Sequence, residues 1–212
     1  MTGISGRIRR AAEFLLLFVG GPLAILALHR AGVLFGLLWA AAALAWISQR
    51  GATAPQSGQT LGAALRTPLL RFIVLAPLIM IAAWIWSPQT LFSLPREKPG
   101  FWLVIVVLYP LLSVWPQEML YRSFLFRRYG GLFGGDRGTI AASALAFGFA
   151  HILFLNWIAI AMTTIGGLLF ARDYARHRDL RVACIEHSLY GCLIFTIGLG
   201  RFFYTGAAWK HG

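Results

Sequence analysis

The chain has 212 residues, 58% of them hydrophobic and only 12% charged, and a net charge of +12. Soluble domains carry about 25% charged residues, and a soluble core has no room for this much apolar surface without large exposed patches; a water-soluble globular protein is excluded. The basic residues are scattered between apolar runs, which fits anchoring at an anionic membrane surface and speaks against a nucleic-acid groove.

A spanning helix needs about 20 mostly apolar residues, with about 17 as the lower limit, and we count seven candidates. The first, 11–28, follows Arg7, Arg9 and Arg10 and contains Gly20-Gly21-Pro22. No small-residue cleavage site stands out, so it reads as a retained span and not a signal peptide. The second is 32–48. Gly, Ser, Gln and Pro over 49–60 predict an exposed loop. The third, 69–87, carries Pro77 and is expected to kink there. The fourth, 101–120, has Pro116 near its end. The glycines of 130–135 predict a tight turn before Asp136. From Thr139 to Ala171 there is no Lys, Arg, Asp or Glu. That run is too long for one span, and Leu155-Asn156-Trp157 predicts a reversal. It divides into a fifth helix, 139–155, and a sixth, 157–172, with a re-entrant hairpin as the alternative. The seventh is 182–203. The expected fold is therefore all-α: a polytopic integral membrane protein of about seven transmembrane helices, some kinked or re-entrant. A single domain covers 1–212, with helices 1–3 in 1–100 and helices 4–7 in 101–203.

Short loops rich in Lys and Arg face the cytoplasm. With the N-terminus inside, 14 of the 19 basic residues fall on inside segments, leaving Arg30, Arg96, Lys98, Arg201 and Lys210 outside. The expected topology is N-terminus cytoplasmic and C-terminus outside, in a bacterial inner membrane.

Three ionisable motifs interrupt the apolar runs, where each such group costs a few kcal/mol. Glu118 and Arg122 are four apart, so they share a helix face and can pair. Phe147 and His151 share a face on a helix of small residues that permits close approach by a neighbour. His187 and Gly191 repeat the spacing, with Glu186 just before. Each has a plainer reading. Glu118 and Arg122 can be an interfacial ion pair, His151 a packing histidine bonded to a nearby carbonyl, and Glu186 a partner of Arg181 or Arg178. Cys184 and Cys192, about 12 Å apart along one helix, are too far apart for a disulfide. No CxxC or HExxH spacing is present, so neither a metal nor another cofactor is expected.

The ordered triple resembles the CAAX protease and bacteriocin-processing family, glutamic-type intramembrane endopeptidases. The resemblance covers about 100–200. It places the family's first motif on Gln117, Glu118 and Arg122, its second on Phe147 and His151, and its third on His187 through Gly191, with Cys192 adjacent. It implies that a glutamate and the second-motif histidine activate a water, and that the third-motif histidine and asparagine hold the oxyanion. The chain departs twice. The family's first glutamate is Gln117, which is no general base, and its asparagine is Gly191.

The resemblance thus implies an intramembrane endopeptidase with Glu118, His151, His187 and Arg122 as catalytic residues. Gln117, Phe147, Gly191, Cys192 and Glu186 are supporting, and Glu118 and His151 share a proton. The partners are the bilayer and a membrane-anchored or hydrophobic-tailed peptide, with no nucleic acid. A non-catalytic scaffold or immunity protein of the same family, favoured by Gln117 and Gly191, stays open. So does a small proton-coupled transporter using the same residues as a relay.

Overall fold

The computed structural model describes residues 4–28, 30–50 and 58–204, and every regular element among them is helical. Seven long helices follow one another: α1 Ile4–Leu28, α2 Ala31–Ser48, α3 Leu61–Trp86, α4 Pro99–Leu132, α5 Asp136–Phe154, α6 Trp157–His177 and α7 Leu180–Thr196. By length and composition α1, α3, α4 and α5 can each cross a membrane. The chain is a helical integral membrane protein. Its outward apolar side chains, such as Ile73, Ile85, Val107 and Leu111, each more than 60% exposed, are explained by lipid contact.

Several boundaries differ from the sequence expectation, for one physical reason. The third and fourth spans are longer than expected: α3 runs back past 69 through Arg66 to Leu61, and α4 runs on past 120 through Arg122 to Leu132. Arg71, Glu118 and Arg122 are paired inside the bundle, so they do not mark helix ends. α7 stops at Thr196, and 199–203 forms a separate 3₁₀ turn. The reversal at 155–157 is as expected: Leu155 takes a left-handed backbone (φ 53°), and Asn156 caps α6 by accepting from Ala159 N at 2.8 Å. The amide of Asn156 also donates to Phe202 O at 2.8 Å. Positive φ at Gly134 and Gly135 makes the turn before α5. Of the loop expected over 49–60, residues 51–57 lie outside the described residues.

α4 is irregular, and its prolines explain why. It contains two wider π-helical stretches, Pro110–Val114 and Met119–Phe124. A proline supplies no N–H, so the carbonyl four residues back loses its helical partner. Pro116 frees Leu112 O, which takes Trp39 Nε1 of α2 at 3.0 Å. Pro110 frees Val106 O, and Cys192 Sγ of α7 lies 3.9 Å from it. Inside a bilayer such carbonyls need protein partners, so these breaks tie α4 to its neighbours.

The core sits where α4, α5, α6 and α7 meet. Tyr121, Leu125, Phe126, Phe147, Phe170, Tyr174 and Tyr190 pack there, joined by Phe18 of α1. α5 and α6 come together through small residues: an added Cβ at Gly148 would overlap Thr164, and one at Gly167 would fall 3.0 Å from Phe147 Cδ1. Close approach of this kind is how membrane helices gain van der Waals contact.

Candidate functional site

Glu118 is completely buried, and its two oxygens are used differently. Oε1 lies 2.8 Å from Nδ1 of His187 on α7. Oε2 lies 3.1 Å from Nε of Arg122, one turn along α4. Arg122 is also fully buried, a position that costs several kcal/mol unless the charge is compensated. Compensation comes from Glu118 and from two aromatic faces, with the guanidinium carbon 4.6 Å from the Phe147 ring centroid and 5.7 Å from that of Phe170. Nη2 additionally donates to Gly167 O at 3.5 Å.

His187 is held on every side. Its ring stacks on Phe170 (4.9 Å between centroids, 18° between planes) and meets Phe147 edge-on at 5.4 Å. Its Nε2 lies 2.9 Å from the Tyr109 hydroxyl. An ionised carboxylate only accepts, so Nδ1 carries a proton toward Glu118; in the neutral ring Nε2 then accepts from Tyr109. A continuous polar chain therefore runs Arg122–Glu118–His187–Tyr109 across α4 and α7.

His151 ends α5. Its Nδ1 donates to Phe147 O at 2.7 Å, one turn back along its own helix, which leaves Nε2 as the basic nitrogen of the neutral ring. Phe147 packs against both histidines, 4.8 Å from His151 and 5.4 Å from His187. The expected proton-sharing contact between Glu118 and His151 is not what forms. The carboxylate hydrogen-bonds His187, and the carbonyl of Phe147 is within closer reach of His151.

Gln117 points elsewhere. Its Nε2 donates to Ser113 Oγ at 2.7 Å, and its Oε1 is buried with no hydrogen-bond partner among the described residues. At Gly191 an added Cβ would fall 2.5 Å from the Tyr109 hydroxyl oxygen and 2.7 Å from its Cζ, so glycine is what lets Tyr109 reach His187. Cys192 serves Val106 O, and both cysteines are free thiols. Glu186 does not pair with Arg178 or Arg181. Those bind Asp136 (2.5 Å) and Asp179 (2.8 Å) near the surface. Glu186 instead joins Asp173 of α6 on the guanidinium of Arg71 from α3, because it faces that side of the bundle and Arg71 reaches in from α3.

The residue missed from sequence is Tyr109. It sits in an uncharged run, and no local spacing marks it. The available signal was indirect: a glycine at 191, opposite a buried histidine, leaves a space that another helix must fill. Beside this pair runs an apolar groove of about 680 Å³ lined by Trp102, Val106 and Pro110 of α4 and Cys184, Ser188 and Cys192 of α7. Pro110, Ser188 and Cys192 are the immediate neighbours of Tyr109, His187 and Gly191.

Residues 99–193 match the family model described as Type II CAAX prenyl endopeptidase Rce1-like. No curated protein and no solved structure matches the chain significantly. The matched stretch opens with the first residue of α4, closes in α7, and contains Tyr109, Glu118, Arg122, His151 and His187. Over this segment, somewhat less than half of the chain, the protein is similar to the CAAX prenyl endopeptidases, a family of peptide hydrolases.

Proposed function

We propose that this protein is an intramembrane endopeptidase that hydrolyses a peptide bond of a membrane-anchored or hydrophobic-tailed substrate. The observation that carries the reading is the buried Glu118–His187 contact, 2.8 Å between helices 69 residues apart in sequence, inside a CAAX protease segment. Hydrolysis in lipid requires a base, donors for the developing oxyanion and a cavity closed to bulk solvent. His151 is the group whose basic nitrogen is not taken up by Phe147, so it accepts the proton of the attacking water. The water oxygen adds to the carbonyl carbon, the oxyanion collapses, and the departing amine recovers the proton from His151. Glu118 orients His187 and balances Arg122. With the N-terminus inside, cleavage lies near the cytoplasmic leaflet, a topology that reporter fusions to both termini test.

The test uses the full chain in proteoliposomes with a panel of internally quenched peptides bearing apolar or isoprenylated C-terminal tails. Glu118→Gln, His151→Ala and His187→Ala are each expected to slow release by about 10²–10⁴-fold. Undiminished release by all three variants overturns the reading. One observation favours the non-catalytic alternative: at 117, where the resemblance expects a carboxylate, stands an amide bonded to Ser113. That alternative predicts that the cellular phenotype of a deletion strain is restored as well by Glu118→Gln as by the parent chain.

A further inference from the structure

We infer that Tyr109 is a catalytic residue of this site, its hydroxyl donating to the carbonyl oxygen of the scissile bond. The inference rests on the peptidase reading above and concerns which side chain supplies the donor. Three observations converge on it. The Tyr109 hydroxyl is the free end of a hydrogen-bonded chain whose other members, His187 and Glu118, are fixed on both sides by α7 and α4. The space it occupies exists because residue 191 has no side chain: a Cβ there would fall 2.5 Å from that oxygen. Finally, the residues next to Tyr109, His187 and Gly191 line the apolar groove through which an extended apolar substrate segment can approach from the lipid.

The proton inventory closes. At rest the phenol donates to His187 Nε2. With substrate bound, the Tyr109 O–H turns from Nε2 to the substrate carbonyl while His187 stays neutral and held by Glu118, so no additional proton enters the site. As the water oxygen bonds to the carbonyl carbon, the C=O electron pair moves onto oxygen and is met by the Tyr109 proton, while the water's proton goes to His151. Collapse reforms the carbonyl, breaks the C–N bond and returns the proton from His151 to the amine. Tyr109 and His187 end as they began. His187 is held in this orientation by Glu118, which Arg122 in turn holds in place. Gly191 has no side chain to act as donor, so position 109 supplies from α4 what position 191 cannot supply from α7.

The experiment compares Tyr109→Phe with Glu118→Gln in proteoliposomes on the same quenched peptides. Tyr109→Phe keeps the ring and its packing on Phe195 and removes only the hydroxyl. Its kcat is expected to fall about 10²–10³-fold, the usual loss of one oxyanion donor, with KM little changed and an unaltered thermal midpoint. Loss in Glu118→Gln with parental kcat in Tyr109→Phe overturns the inference and leaves the peptidase reading standing. Parental turnover in Glu118→Gln, His151→Ala and His187→Ala alike removes the peptidase reading and the inference with it. A rise in KM with kcat intact for Tyr109→Phe also overturns the donor role. Recovery of kcat in Tyr109→Ala/Gly191→Asn relative to Tyr109→Ala alone, where the amide finds the room the phenol vacated, supports donation over packing.

Discussion

Two buried charge clusters hang from consecutive residues of α7, and they are built on opposite principles. His187 joins Glu118 and Arg122 of α4, one carboxylate to one guanidinium, and its chain ends in a phenol beside a groove. Glu186 turns to α3 and α6, where two carboxylates converge on the single Arg71, and its Oε2 has no hydrogen-bond partner among the described residues. The first is balanced and ends in groups able to pass a proton; the second is over-supplied with acid and joins three helices. Buried ions in this protein therefore serve two purposes, and adjacency in sequence does not distinguish them. The roughly 100° step between neighbouring helical residues does, by sending each to a different neighbour.

The comparison is broken most severely at its cations. Arg122→Met leaves the wholly buried Glu118 without its guanidinium, and a loss of about 3–5 kcal/mol is expected, read as a large drop in thermal midpoint in detergent together with lost peptide release. Arg71→Met, in a cluster whose arginine is 18% exposed at the side chain, is expected to destabilise by a similar or slightly smaller amount. The folded fraction should retain parental peptide release, because the Glu118 chain is untouched; equal loss of specific activity in both variants would merge the two clusters into one. Glu186→Gln sharpens the contrast. Arg71 keeps Asp173, so the cost is expected to stay below about 1.5 kcal/mol, and a cost as large as that of Arg71→Met would show that both acids are required. The smallest effect belongs to the surface. Asp179 caps α7, accepting from Arg181 N at 2.9 Å, and Asp179→Ala is expected to cost about 1 kcal/mol. The Arg181 side chain holds the Asp179 carboxyl below its ordinary range against a smaller opposing effect of burial. A carboxyl lowered on folding stabilises the fold above its unfolded pKa and loses that contribution as pH falls through the folded value. Unfolding measured from neutral pH into the acid range should therefore show a destabilisation in the parent chain that Asp179→Ala lacks.

Much of the bundle was legible. Apolar runs gave the number of long helices, and the Asn156 reversal followed from a stretch too long for one span. Glu118 and His187 were marked by the cost of ions in lipid, and the structure brings them into contact. Other features were not legible, because they are settled between helices. Arg71 looked like a residue at the edge of a span, and only its 102- and 115-residue separations from Asp173 and Glu186 reveal it as internal. Tyr109 carried no mark of its own. The Glu118–His151 pairing followed from motif order, but motif order does not say which of two histidines a carboxylate faces; the Phe147 carbonyl decides that locally. The π-helical stretches of α4 escaped a reading that assumed 3.6 residues per turn throughout.

The wide turn Pro110–Val114 sets the angular phase of α4. Tyr109 and Glu118 are nine residues apart, and at about 100° per residue a regular α-helix would put them on opposite sides. A π turn takes up one additional residue per turn, which returns about 100° of that rotation and lets both side chains address His187. A regular α-helical turn over 110–114, with no residue removed, would keep every group named in the site. It would also swing Tyr109 away from the imidazole that Glu118 still holds. In this helix the width of one turn is as much a part of the site as the groups themselves.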